Sequence, residues 1–211
     1  MTTKTPAINI QITAPNFQRL QLHIRGTSPY VQNRFSQKAQ TQIRETQMAG
    51  ATAKSKKVRV ARDFDADFRN AQHFSTEGWN GIPAASFRNA LIDACRTGNF
   101  KMTHAKMACW VVADGFDADG VPLVRFTEGE PQKHEAHVRN QTGVVDLRAR
   151  PMWMPGWGAI VTLEFDAAML TAADVTNLLA RAGGQVGIGE GRPFSPKSNG
   201  MGWGLFSIVN T

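Results

Sequence analysis

The sequence predicts an α+β fold. A ferredoxin-like (RRM-like) βαββαβ core would place two helices on one face of an antiparallel sheet, with a long basic insertion between the first core strand and the first core helix. Three observations carry this expectation. Residues 17–25 and 158–165 alternate apolar and polar positions, the period of half-buried strands. Residues 82–96 and 171–182 carry apolar side chains at helical spacing between start and stop signals. Residues 30–74, lying between the first strand and the first of these helices, show little core pattern. A stretch of that length inside a compact domain is functional or disordered more often than architectural.

In chain order, Ala7–Ile12 alternates strictly and reads as a short strand, closed by Pro15 and Asn16. Phe17–Arg25 follows as a strand with Leu20, Leu22 and Ile24 on one face and Arg19, Gln21 and His23 on the other; Gly26–Pro29 ends it. Gln32–Met48 reads as a weak surface helix with Ile43 and Met48 as sparse apolar anchors, and Gly50–Lys57 as a flexible segment. Asp63, Asp65 and Asp67 alternate with Phe64, Ala66 and Phe68, which reads as the polar face of a strand; the glycine and terminal glutamate of a calcium loop are missing. Ile82–Arg96 is a helix, with Pro83 in its first turn, Phe87, Leu91, Ala94 and Cys95 on one face, and Gly98 at its end.

Met107–Ala113 is a near-continuous apolar run and reads as a buried strand. Turn signals at Asp114–Gly115 and Asp119–Gly120 make Leu123–Phe126 its hairpin partner. His134–Arg150 reads as a loop with a short strand, and Gly158–Phe165 as a strand. Thr171–Asp174 has the form of a capping box with Asp in place of Glu. The apolar stripe Val175, Leu178, Leu179 and Ala182 follows it, closed by Gly183 and Gly184. Trp203–Val209 is the final strand. The chain, 1–211, reads as a single domain in which 30–74 projects as the insertion and 183–204 forms a glycine-rich loop.

With 211 residues and 42% hydrophobic content, the chain can bury a core of its own. No apolar run reaches the roughly 18 residues of a membrane span. The N-terminus lacks an apolar signal core, so a cytoplasmic location without membrane contact is expected. Cys95 and Cys109 have neither CxxC spacing nor neighbouring histidines; they read as small buried apolar residues, and no disulfide, metal or cofactor site is expected.

The net charge is +7, and its placement says more than its size. Arg34, Lys38, Arg44, Lys54, Lys56, Lys57, Arg59 and Arg62 share 29 residues with one acid, Glu45, while the remainder of the chain holds 16 basic and 16 acidic residues. A localised basic stretch is the electrostatic footprint of a nucleic-acid binder; the bland reading is a solvated loop. The glycine-rich loop adds to this. Eight glycines lie between Gly183 and Gly204, interleaved with Val186, Ile188, Phe194, Met201 and Trp203. Such a run is neither a helix nor a Gly/Ser linker. It reads as an ordered loop open to close approach, and Arg192 and Lys197 within it favour an anionic visitor.

Two stretches carry a family resemblance. Gly81-Ile82-Pro83-Ala84-Ala85-Ser86-Phe87-Arg88-Asn89-Ala90-Leu91 resembles the helix start of the RAMP superfamily, the repeat-associated proteins of CRISPR effector complexes. The late helix running into Gly183-Gly184 and Gly187-Ile188-Gly189-Glu190-Gly191-Arg192 is similar to that superfamily's terminal glycine-rich loop. Ser28-Pro29-Tyr30-Val31-Gln32-Asn33-Arg34, leading into a long insertion, is similar in layout to the backbone subunits that polymerise along guide RNA. Ala84, Ala85 and Asn89 depart from the superfamily's preferred residues, and the chain is short for a backbone subunit. A relative outside CRISPR, such as a phage or mobile-element protein on the same fold, is the alternative to such a subunit.

The resemblance implies that Ser86 and Arg88 face a nucleic-acid backbone and that Gly187, Gly189, Gly191 and Arg192 approach its phosphates. Helix N-termini and glycine amides favour phosphate on physical grounds as well. Arg34, Lys54, Lys56, Lys57, Arg59, Arg62 and Lys197 then supply point charges, with Phe35, Trp79 or Trp203 available for stacking on bases. The expected function is a subunit that binds single-stranded RNA or DNA through sequence-independent backbone contacts. It would assemble with copies of itself in a filament or ring, or with other effector-complex subunits. Two other readings stand beside it. One is a metal-independent endoribonuclease drawing on His23, His73, His104, His134 or His137. The other is a structural, virion-like protein that uses the insertion as an inter-subunit arm. No catalytic residue is assigned, and no P-loop, HExxH or Ser/His/Asp arrangement occurs.

Overall fold

Strand β1 (Phe17–Gly26) is the spine of the larger sheet. As its alternation predicts, Leu20, Leu22 and Ile24 pack into the core. In the computed structural model, residues 13–34, 63–139, 145–195 and 200–209 are described, together with exposed helical positions at 41, 44, 45, 47 and 48. The strand expected at Ala7–Ile12 and the segment Gly50–Lys57 lie outside the described residues.

Three short strands, β2 (Tyr30–Val31), β3 (Gly81–Pro83) and β4 (Cys109–Val112), precede β5 (Gly115–Phe116) and β6 (Pro122–Glu128). A long hairpin, β7 (Pro131–Arg139) and β8 (Val145–Trp153), leads to β9 (Gly158–Asp166), and β10 (Phe206–Ile208) closes the chain. β9 pairs with β1 along its whole length, Phe17 opposite Asp166 and Arg25 opposite Gly158. β10 lies on the other edge of β1. The far edge of β9 is shared, its C-terminal half pairing with β4 and its first residues with β6, which carries β3 and β5. A second sheet has the order β2–β8–β7. All described strand pairs are antiparallel, and with four α-helices among the described residues the fold is α+β.

The helices are α1 (Phe64–Asn70), α2 (Ala84–Ala94), α3 (Met102–Ala108) and α4 (Ala172–Arg181). α4 starts as its sequence predicts. The Asp174 N–H donates to Thr171 Oγ1 at 3.1 Å, and the Thr171 N–H donates back to Asp174 Oδ2 at 2.9 Å. Those bonds occupy two of the otherwise orphaned donors of the first turn. Hydrogen bonds from the Thr171 hydroxyl and N–H hold the Asp174 carboxyl below its ordinary value. Val175, Leu178, Leu179 and Ala182 are buried, and a π-turn at Ala182–Val186 ends the helix. α2 buries Phe87, Leu91, Ala94 and Cys95 as expected, but Ile82 and Pro83 belong to β3, and Pro83 is the N-cap.

Three expectations are corrected. Asp63–Phe68 is not a strand: Asp63 caps α1, its Oδ1 accepting from Asp65 N at 2.9 Å and Ala66 N at 3.0 Å. Asp65 and Asp67 sit in the first turn, where the positive end of the helix favours carboxylates. The strand expected from Met107 begins only at Cys109, because Met102–Ala108 coils into a helix that buries Ala105 and Ala108 and leaves Met107 outside. β6 accordingly pairs with β5, β3 and β9 rather than with β4. The loop with a short strand expected at His134–Arg150 is instead the long β7–β8 hairpin, nine residue pairs from Pro131–Trp153 to Arg139–Val145. Neither described face of β7 is deeply buried, and its apolar positions are few, Ala136 and Val138 between charged or polar neighbours, so periodicity gives only a short strand signal.

The insertion is rooted in the core at both ends. Tyr30 and Val31 are each 1% exposed, and Gln32, Ala71, Gln72 and His73 are buried. Tyr30 meets Phe126, Trp153 and Trp157 at 5.6–5.7 Å between ring centroids, and Phe126 stacks on Trp153 at 4.6 Å. Burial pushes the Tyr30 phenol well above its ordinary value. Gln32 continues the anchorage, donating to Gly81 O at 2.8 Å and accepting the His73 N–H at 2.8 Å.

Candidate nucleic-acid interface

A cleft of about 370 Å³ opens between α2, the glycine-rich loop and the roots of the insertion. Its first wall follows from helix geometry. Phe87, Leu91 and Ala94 face the core, so the neighbouring stripe, Ser86, Asn89, Ala90 and Asp93 at i, i+3, i+4 and i+7, faces the cleft. The second wall is Ile188–Arg192 with Ser195. The third comprises Tyr30, Gln32, Asn33 and His73, with Pro83 at the join.

The glycine loop stands against this cleft because the body of the protein fills the space its side chains would need. Gly189 has φ +79°, and a Cβ there would lie 2.6 Å from Val31 O and 2.7 Å from the Tyr30 ring. Closure at this point lets Glu190 N–H donate to Val31 O at 2.9 Å. At Gly191 (φ +75°) the space is taken by the Trp203 ring, and at Gly187 (φ +74°) by Pro193 and Trp203 O. The close approach is therefore intramolecular on the side of the missing Cβ atoms.

Of the residues singled out from the sequence, Ser86, Gly189, Gly191 and Arg192 meet in this cleft; Gly187 and Arg88 do not line it. Arg88 points to α3, its Nη2 donating to Lys106 O at 2.8 Å. Arg192 braces the loop, donating from Nη1 to Gly189 O at 3.0 Å and from Nε to Phe194 O at 3.2 Å. Arg34 is engaged internally, pairing with Asp119 and lying 3.7 Å from Asp117 Oδ2, with its side chain 17% exposed. Lys54, Lys56, Lys57, Arg59, Arg62 and Lys197, and the stacking candidate Phe35, lie outside the described residues. Trp79 sits under Arg125 beside a different, polar depression lined by Gln21 and Thr162, while Trp203 packs on the glycine loop.

One pair in the cleft wall was not legible in the sequence. His73 Nδ1 lies 2.9 Å from Asp117 Oδ2, and the Asp117 side chain is fully buried. Burial lowers the His73 pKa, against the partial opposition of the Asp117 hydrogen bond and charge. Burial also acts on Asp117, raising it, but the His73 hydrogen bond, the Val121 and Asp119 N–H groups and the Arg34 charge together hold it below its ordinary value. At neutral pH the pair is a neutral imidazole donating from Nδ1 to a carboxylate, which leaves Nε2 as the unprotonated nitrogen. The two residues are 44 positions apart, and no local spacing announces them. Among the other histidines, His134 and His137 lie on a strand at odd separation and so face opposite sides, which rules out joint ligation of one ion. Cys95 and Cys109 are free and buried, and burial pushes the Cys109 thiol up to about 11, away from nucleophilic use. Among the described residues no three potential metal-ligating side chains cluster, and no helix is long and apolar enough to cross a membrane.

The depressed His73 pKa has a consequence for stability. An unfolded histidine titrates at about 6.5; the folded one binds its proton at lower pH, so between the two values the unfolded chain holds more protons. Stability is therefore full above about pH 6.5 and declines as pH falls through that value. Denaturant midpoints measured from about pH 8 to about pH 5 should show this decline, and His73→Asn should flatten it.

No family model matches the chain, and no curated protein matches it.

Proposed function

We propose that the protein is a subunit that binds single-stranded nucleic acid, RNA in the first instance, and assembles side by side with copies of itself along the strand. The observation that carries this reading is where the basic segment is rooted. Asn33, immediately before Arg34, and His73, beyond the segment's end, both line the cleft against which the glycine loop and α2 converge. The basic segment therefore leaves from the edge of the cleft at Asn33, and α1, which follows the segment, leads the chain back to the same cleft at His73. A ferredoxin-like core is part of the proposal. It is supported by the strand order β10–β1–β9–β4, with α2 between β1 and β4 in sequence and α4 between β9 and β10. The resemblance to RAMP-superfamily proteins supports the same reading. Phosphates would run along the mouth of the cleft, neutralised by the basic segment, with contacts that do not depend on sequence.

Size-exclusion chromatography with light scattering, absorbance of co-purified nucleic acid and nuclease treatment test it. The expected result is a large particle that RNase dissolves. A nucleic-acid-free oligomer that ignores added RNA and DNA would move the protein to the structural-assembly class.

A second reading has one observation in its favour. A neutral His73 held by Asp117 at the cleft wall is the arrangement of a general base oriented by a carboxylate, as a metal-independent endoribonuclease requires. Cleavage of RNA without added metal, abolished in His73→Asn, would establish it; intact RNA after prolonged incubation would dismiss it.

A further inference from the structure

The charges inside the cleft do not suit a phosphate. Arg192 is its one cationic lining residue among those described, and that guanidinium is drawn onto Gly189 O and Phe194 O. Two carboxylates line the same space. Glu190 is held by Arg150 Nε at 3.2 Å. Asp93 has Arg96 Nε at 3.7 Å, on a side chain 56% exposed to solvent and therefore loosely held. The remaining polar side chains, those of Tyr30, Gln32, Asn33, Ser86, Asn89 and Ser195, are neutral, as is His73 at neutral pH. An oxyanion placed among them would meet a carboxylate with little to offset it.

A nucleobase has the opposite requirements. It is neutral and flat, and it presents donors and acceptors on its edge. Single-stranded RNA offers such bases because they unstack and splay out, and proteins read them by their edges. Carboxylates accept from exocyclic amino groups, and Asn pairs with the amino and ring-nitrogen edge of adenine. We propose that the cleft admits one unstacked base bearing an exocyclic amine, with Asp93 accepting from the amine and Asn89, one helical turn before it on the same face, contacting the neighbouring edge atoms. Uracil and thymine present a carbonyl oxygen in that place and are disfavoured. The proposal rests on the reading of the protein as a single-stranded nucleic-acid binder. It adds one discriminated nucleotide per protomer to contacts that are otherwise blind to sequence.

The test is fluorescence anisotropy with labelled oligo(C), oligo(A) and oligo(U) of equal length at fixed salt. The unaltered protein should bind oligo(C) and oligo(A) roughly tenfold more tightly than oligo(U), within the range of a good edge contact. Asp93→Ala should weaken oligo(C) and oligo(A) and leave oligo(U) unchanged, erasing the preference. Asn89→Ala, at an exposed position whose loss leaves the core untouched, should reduce the preference in the same direction. If instead phosphate occupies the cleft, Asp93→Ala tightens all three oligomers together, and that result overturns the base pocket. Equal affinity of the unaltered protein for all three also overturns it. Binding to none of them removes the pocket together with the nucleic-acid reading on which it stands.

Discussion

Replacing Lys54, Lys56, Lys57 and Arg59 together by alanine should weaken single-stranded nucleic-acid binding on the order of 100- to 1,000-fold at about 0.1 M salt, to the same extent for every sequence. Each lysine or arginine that neutralises a phosphate releases a counterion, contributing about 0.7 to the slope of log affinity against log salt for single strands; four removed contacts lower that slope by about 3. The remainder of the chain is charge-neutral, so the long-range attraction has no other source. Anisotropy titrations across a salt series read both quantities. Unchanged affinity at low salt would show that the insertion is not the electrostatic contact. A loss confined to one base composition would assign these side chains to base reading instead.

Gly189→Ala should destabilise the protein by about 3 kcal/mol, whereas Gly184→Ala should leave it unchanged. At Gly189 two costs add. A side chain in a left-handed conformation costs roughly 1–2 kcal/mol, and the new Cβ would press on Val31 O, fixed by the pairing of β2 with β8, and on the Tyr30 ring, fixed by the aromatic cluster, for roughly 1–3 kcal/mol more. At Gly184 φ is ordinary and a Cβ meets nothing within 4 Å. Thermal unfolding distinguishes them: a fall of roughly 6–12 °C for the first and none for the second. The same substitution pushes Glu190 away from Val31, so the loop that walls the cleft should lose its register and binding should weaken with stability. Equal melting temperatures for both variants would mean that the glycine loop is not held against Tyr30.

Tyr30 owes its burial to contacts that local spacing does not encode. It begins a stretch with sparse apolar residues and reads as part of the insertion, yet it is among the most buried large side chains of the described residues. Its partners Phe126, Trp153 and Trp157 are close to it only after β2 and β8 pair and β6 docks on β9. The same holds for Arg34, read as a free cation and found bound to Asp117 and Asp119. The aspartates of the 63–67 stretch mislead for a different reason. Period-2 alternation over five residues is compatible with a capped helix start, and only the bonds from Asp65 N and Ala66 N to Asp63 decide between the two.

What the sequence determined by itself was local. The strands β1 and β9, the core faces of α2 and α4, the Thr171–Asp174 box, the burial of both cysteines and the concentration of positive charge in residues 34–62 all follow from spacing within a few turns or a few strand residues. In those elements one face meets the core and the other does not. Only the tertiary structure decided the β7–β8 hairpin, whose described side chains on β7 are nowhere deeply buried, and the helices α1, which buries no residue, and α3, which buries only Ala105 and Ala108. It alone decided the cleft. Asn33, His73, the Ser86–Asp93 face and the Gly189–Arg192 loop come from four separate parts of the chain. Their adjacency is fixed by sheet register and by the packing of α2 against the turn at Ala182–Val186, α4 and β4, which no spacing along the sequence encodes.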